Sequence, residues 1–523
     1  MITQLMYRGC WMLGLASGLT LSGTITLMGL FASAFWGKCA LAQITPDTSL
    51  GAESSRVTPD AEVKGKPADL IEGGAARGVN LFHSFSEFNV EELQRVYFAN
   101  PAGIETILTR VTGANPSNIL GTLGVDGAAN LFLLNPHGIL FGSNAQLDVE
   151  GSFVATTANS IGFEDGSSFS AANPEDSSLL TVSVPLGLQY GANQSGEIAN
   201  AGNLAVGQDL TLSAGNLDLQ GQLYAGGDLT LEAQDTVRIR DSVDAPFMAA
   251  ARGQLWVQGN QGVDIFALNH PDSGLFSGGN MVLRSAAQVG GDAHYWSGGS
   301  FRIEQLDGSL GDLSSPNDPV IRTMGDVLIG GYEGSSLHIV AGGKVEIPGF
   351  VSITGADPTN GLQETVTLSD GTTINIDGRS EPTLDIRAGV DPSAIGVPFF
   401  SGTGNDLFFN PLDFPNTPTS ADITIGDIVV FDLTDGGKVL LTNQYQPNLA
   451  LDTPNGITVG SIDARDDLGG GSVFIDSRSS ITLNGTVDAS AFELSDTYFG
   501  DGGDVRLKAE GDINLNRGAN VLS

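Results

Sequence analysis

The sequence predicts an all-β fold: a single-stranded, right-handed parallel β-helix with an N-terminal cap and extruded loops. Three observations point there. Glycine supplies 71 of the 523 residues and aromatics only 7%, a balance that suits many short strands joined by tight corners. Apolar residues alternate, or run in threes and fours between those corners, which is the spacing of strands and not of helices. A glycine-and-strand phrase at Gly207–Leu212 returns at Gly226–Leu231, 19 residues on, the length of one coil whose apolar face stays uncovered until a neighbour stacks on it.

At the start of the chain, residues 9–37 carry no charge, lie between Arg8 and Lys38, and lead into Ala40-Leu41-Ala42 before Gln43. Residues 1–42 therefore read as an export signal with an Ala-x-Ala cleavage site, although the run is also long enough for an uncleaved anchor. Gly14, Ser17, Gly18, Ser22 and Gly23 dilute its hydrophobicity and favour cleavage. Lys38 stands before Cys39 where a lipoprotein site needs a small residue, so lipidation is not expected. Both cysteines, Cys10 and Cys39, fall in this leader, leaving none in the 481 residues from Gln43. A chain without disulfides can thread an outer-membrane pore extended; a chain of this size also has core enough to need no staples. The leader holds two of the 23 basic residues and none of the 60 acidic ones, so the remainder carries a net charge of −39. That charge argues against nucleic acid or anionic lipid as a partner and keeps an unfolded secretion intermediate soluble.

From Gln43 to about Lys66 the chain is polar and punctuated by proline. It is expected to be a loosely held arm or an edge-capping segment, because the first coil of a solenoid exposes unpaired backbone that something must cover. Leu70–Val90 should begin the fold, and Glu91–Val96 fits a short helix or another strand. Three Asn-Pro turns follow: Asn100-Pro101-Ala102-Gly103, Asn115-Pro116-Ser117-Asn118 and Asn135-Pro136-His137-Gly138. Proline presets φ at the second turn position, asparagine at the first bonds to backbone ahead of it, and Gly or Asn at the fourth tolerates the exit geometry. Leu131–Leu134 runs into the third turn and Ile139–Phe141 runs out of it, so both arms read as buried strands. The second and third turns begin 20 residues apart, and the corners are expected to stack.

Asn135-Pro136-His137-Gly138-Ile139 resembles the Asn-Pro-Asn-Gly-Ile signature of the N-terminal secretion domain of filamentous-haemagglutinin-type exoproteins, the passengers of two-partner secretion, with histidine replacing the middle asparagine. His83-Ser84-Phe85-Ser86-Glu87-Phe88-Asn89-Val90 is similar to a segment of that family ending in Phe-Asn-Val, and Asn100-Pro101-Ala102-Gly103 matches a second signature, Asn-Pro-Asn-Leu, in part. The resemblance spans roughly residues 60–165. It implies translocation by a dedicated outer-membrane transporter with periplasmic domains, then release or display outside a Gram-negative-type cell. It also implies that Asn100, Pro101, Asn115, Pro116, Asn135, Pro136 and Gly138 serve transporter recognition or the folding of the first coils. The plainer reading of the same residues is that they hold turns, and that His83, Phe85 and Phe88 pack the core and cap.

After Gly151 the chain alternates through Phe153–Thr157 and Ile161–Phe163 to a turn at Glu164-Asp165-Gly166. Looser copies of the repeated phrase stand at Gly278–Leu283, Gly298–Ile303, Gly342–Ile347, Gly470–Ile475 and Gly502–Leu507. Two stretches interrupt the period, near 307–318 and 354–421; within the second, Asp370-Gly371 between Thr365–Ser369 and Thr372–Ile376 signals a hairpin. Such excursions either form a binding face or are simply tolerated. The expected organisation is a signal peptide (1–42), a secretion domain (43–166) and a repeat stem (167–523).

No catalytic constellation stands out: His-Glu-x-x-His, Gly-x-Ser-x-Gly, a Walker loop and Cys-x-x-Cys are all missing, and the five histidines are scattered. No cofactor or metal is expected. Gly402–Phe408 looks like one copy of a calcium-binding nonapeptide, which needs stacked copies to make a site. Asp463-Ala464-Arg465-Asp466-Asp467 is the nearest thing to an acidic groove of a β-helical polysaccharide lyase or hydrolase, and reads more simply as a charged turn. The expectation is an exported structural or adhesin-type exoprotein and not an enzyme, its partners an outer-membrane transporter and a surface glycan or other cell-surface ligand. A carbohydrate-active β-helix, or a stand-alone glycan-binding adhesin, is the alternative.

Overall fold

The computed structural model describes residues 44–176, 185–191, 196–398, 418–430, 436–465, 470–491 and 501–523. The leader, the Gly402–Phe408 phrase, Asp466 and Asp467 lie outside them. The described residues belong to one unit, Ala42–Ser523.

One coil comprises three short strands on three faces. Leu210–Ala214 lies on the first face, Asn216–Leu219 on the second and Gln222–Ala225 on the third. Each pairs in parallel with a strand one coil away, Leu210 beside Leu229, Ile198 beside Leu217 and Leu204 beside Leu223. All three offsets are 19 residues, so the sequence period is the length of a turn of the helix. On the first face the parallel ladder runs from Asn80–Glu87 to Ile513–Leu515. Inward residues such as Leu210, Leu212, Leu229 and Leu231 are fully buried in one core extending from Ile44 to Ala489. Each leucine so buried stabilises the stack by about 1.5–3 kcal/mol.

The repeated Gly-Asp phrase has a specific cause at the corner between the third and first faces. There a side-chain oxygen of one coil accepts the backbone N–H of the coil stacked on it: Asp209 Oδ1 from Asp228 N (2.9 Å), Asp228 Oδ1 from Gln254 N (2.7 Å), Asn280 Oδ1 from Ser300 N (2.9 Å) and Asp326 Oδ1 from Lys344 N (3.0 Å). A corner N–H that no strand satisfies is thereby paired. The residue before each donor must be small, because a Cβ at Gly227, Gly253 or Gly343 would overlap the accepting oxygen.

Several expectations change. Of the two expectations for the segment up to Lys66, the edge cap is the one that forms over residues 44–66: Thr45–Pro46 pairs antiparallel with Phe85 and Glu87, and Ser55–Val63 forms a hairpin with Lys66–Gly73. Glu91–Gln94 is a turn and Arg95–Ala99 a strand, so no helix forms there. Ile161–Phe163 does not continue the coil; it joins a three-stranded antiparallel excursion of Ser160–Phe163, Ser168–Ser170 and Pro185–Gln189. Leu313–Ser315, inside the first presumed interruption, is a second-face rung. Thr383–Arg387, inside the second, is a third-face rung between Leu337–Ala341 and Lys438–Thr442. The hairpin signalled by Asp370-Gly371 does form, as Gln363–Thr367 with Thr373–Asp377. The early phrase copies lie on the first face, whereas Ser472–Ser477 and Val505–Ala509 lie on the third.

Candidate functional site

The second and third Asn-Pro turns do stack. Both follow first-face strands, Thr106–Val111 and Asn130–Leu134, and lead into second-face strands in which Ile139 lies beside Ser117. The first turn does not join them. Asn100 follows Arg95–Ala99 of the third face and leads to the first face, which is the corner of the Gly-Asp ladder. Its Oδ1 accepts from Ala129 N (3.3 Å) and its Nδ2 donates to Ile104 O (2.9 Å). Asn130 Oδ1 then accepts from Ser152 N (2.9 Å), so Asn100 is the lower end of that ladder.

Asn135 is wholly buried. Its Nδ2 donates to Asn115 O and to Ser117 Oγ of the coil below, both at 3.0 Å, and its Oδ1 accepts from His137 N of its own turn at 3.0 Å. Its backbone N donates to Thr156 O (3.0 Å) and its carbonyl accepts from Gly138 N (3.1 Å), closing the turn. One residue thus binds three successive coils. Gly138 has φ +116°, and a Cβ there would sit 3.1 Å from Glu197 O; the backbone conformation and the close approach both call for glycine. Pro136 is buried, whereas His137 is exposed, so packing places no demand on the side chain at that position. Pro101, Asn115 and Pro116 are exposed, and Asn115 Nδ2 donates to Glu87 Oε1 (2.7 Å).

Sequence reasoning missed Arg110. This buried guanidinium donates from Nε to Ser84 Oγ (2.9 Å), from Nη1 to Ser170 O (2.7 Å) and from Nη2 to Ser49 Oγ (2.8 Å), and stacks 4.5 Å from the Phe169 ring. It joins the edge cap, the first two coils and the antiparallel excursion. Burial pulls its pKa down to about 10, with Asp47 opposing. His83 is also buried; its Nδ1 shares a hydrogen bond with Ser55 Oγ (3.0 Å) and its ring lies 5.2 Å from Phe98. Burial lowers its pKa to about 3, so it is neutral. Phe85 and Phe88 pack 5.2 Å apart in the core beside it.

Two acidic residues elsewhere are engaged by arginines. Asp463 forms a two-pronged pair with Arg465 (2.8 and 2.6 Å), and Glu304 is paired with Arg284 and Arg302. Among the described residues, no group of three or more His, Cys, Asp or Glu is placed to hold a metal ion.

Two family models match: the TPS secretion domain over residues 42–303 and the haemagglutinin repeat over 455–517. The chain belongs to the TPS secretion domain family, and it is an exported exoprotein of two-partner secretion. Solved structures similar to it include a filamentous haemagglutinin secretion domain, at 17% identity and a TM-score of 0.29, covering 59% of this chain and 96% of that one. Another is the HMW1 secretion domain from Haemophilus influenzae, at 13% identity and a TM-score of 0.25, covering 89% and 98%. No curated protein matches. The family implies interaction with an outer-membrane transporter and a secreted product of a Gram-negative bacterium, and points away from an enzyme.

Proposed function

We propose that residues 43–166 form the secretion unit proper, that its exposed corner residues are read by the transporter, and that its buried ones seed the β-helix on which residues 167–523 stack. The observation that carries this is Asn135, whose hydrogen bonds engage three coils at once. Asn135, Pro136 and Gly138 hold the template, and Asn100 begins the corner ladder. Asn115 and Pro116, with Pro101 at a separate corner, are open to a partner. Coil-by-coil stacking outside the cell then biases movement outward, since each emerging coil docks on the one before it. Once outside, the solenoid presents its excursions to a surface glycan or another cell-surface ligand.

Two variants separate the roles when both export in cells and refolding in vitro are measured. Asn135→Ala is expected to slow both refolding and export. A joint Asn115→Ala and Pro116→Ala change is expected to leave refolding within about twofold and reduce export. Normal export of the joint variant would refute recognition at that corner, and unchanged refolding of Asn135→Ala would refute the template.

A further inference from the structure

The insertion between the second and third faces is fastened down by charge. Asp318 pairs with His338 (3.1 Å), His338 with Asp385 (3.3 Å), Asp385 with Arg387 (2.6 Å), Arg387 with Glu364 of the inserted hairpin (2.7 Å), and Glu364 with Arg322 (2.9 Å). Asp318, His338, Asp385 and Arg387 are essentially without solvent exposure. Burial alone would lower the His338 pKa, but Asp318 and Asp385 outweigh it and raise it to about 9. The chain of groups therefore alternates in sign along its length, as buried charges must. Asp318 Oδ2 also accepts from Leu362 N (2.8 Å), which fixes the near end of the insertion. A loop that is merely tolerated needs no such fastening.

What the fastening positions is the wall of a cavity of about 350 Å³, within the size range of small-molecule sites. Its floor is the outward side of the third face, where Phe276, Trp296 and Arg322 lie on successive rungs. Leu362 and Ile395 close it from two different excursions, and His294 borders it. The Trp296 indole is held in place by its Nε1, which donates to Gly396 O (3.0 Å). The alternating series ends at this cavity on a cation, Arg322, whose bond to Glu364 engages one of the five N–H groups of a guanidinium. Burial, opposed by Asp318 and aided by Arg322, holds His294 below the usual histidine range, so it adds no second charge.

We propose that this cavity binds a ligand group joining an apolar ring to a carboxylate, the ring against Trp296 and Phe276 and the carboxylate on Arg322. Trp296 and Phe276 are 4% and 9% exposed and packed with Ile395, so the ligand ring meets the small part of each that the cavity leaves open, and a guanidinium fork matches a carboxylate in shape and charge. This inference is independent of the secretion reading. The probe is 3-phenylpropanoate, titrated into full-length chain carrying Trp11→Phe, Trp36→Phe and Trp256→Phe, in which Trp296 is the sole indole. A saturable change in Trp296 fluorescence is expected, weakened at least tenfold by Arg322→Gln and when 3-phenylpropanamide replaces the acid. Val397→Glu, at a rim residue that is 43% exposed and outside the charge series, tests the site without disturbing the fold and is expected to weaken binding similarly. A non-saturating response overturns the proposal. So does saturable binding that is indifferent to all three changes.

Discussion

Around Asn135 every corner bond has its own partners: Asn135 reaches Asn115 and Ser117, Asn118 is held by Asn89, and Asn115 by Glu87. Between Asp209 and Lys344 one bond recurs instead, a side-chain oxygen taking a backbone N–H of the coil above. The difference matters for register. In the repeated region a strand displaced by a whole coil would meet much the same corner, the same glycine and the same inward leucine. In the first coils the ladder is present at Asn100 and Asn130, but a displaced strand would lose the individual partners of Asn135, Asn115 and Arg110. On the proposed templating, the pairing of the stack is set where the contacts are individual, and propagated where they are not.

The comparison can be broken at its strongest point first. Arg110→Met removes a buried guanidinium that ties four segments together and leaves carbonyls without donors, and is expected to destabilise the first coils by about 3–5 kcal/mol. The shift of the denaturant midpoint of the cap region, read by region-resolved hydrogen exchange, measures it. Asn135→Ala should cost about 2–3 kcal/mol by the same readout, since buried groups on two coils lose their partner.

Two buried histidines sharpen the contrast through opposite responses to pH. His83 has a folded pKa of about 3 against an ordinary 6.5. Below pH 6.5 the unfolded chain takes up a proton that the folded cap refuses, so the stability of the cap falls as pH drops from 6.5 towards 3. His338 has a folded pKa of about 9. Its contribution is fully present below pH 6.5 and is lost as pH rises through about 9. Limited proteolysis should open residues 44–126 first in acid and residues 354–387 first in alkali. The same region opening first under both conditions would contradict the two assignments.

The smallest effect belongs to the repeated corner. Asp228→Ala removes one rung of the ladder and is expected to cost about 1 kcal/mol, confined by exchange measurements to the coils on either side. A loss as large as that of Asn135→Ala would erase the distinction between the two regions.

The coil period, the glycine corners and the Asp370-Gly371 hairpin were legible because each depends on local pattern. Asn135 was legible as a turn residue, though not as the link between three coils. Arg110 was not legible: in Leu108-Thr109-Arg110-Val111 it alternates outward as a solvent-facing residue should. It points outward, and the excursion carrying Phe169 and Ser170 then covers it. Asp385-Ile386-Arg387 misleads in the same way, because the inserted hairpin lies over its outward side. Alternation tells which side of a strand faces the core. It does not tell whether a later segment comes back to bury the other side, and Asn100 shows that a matching dipeptide need not share a corner with its likenesses.

Pulsed hydrogen exchange during refolding of the full chain tests the templating claim most directly. Backbone protection should appear first within residues 80–156 and then advance through the first-face strands Leu210–Ala214, Leu255–Gly259 and Phe301–Glu304 in that order. Protection arising first in the repeat coils, or in all coils together irrespective of the Asn135 corner, would contradict it.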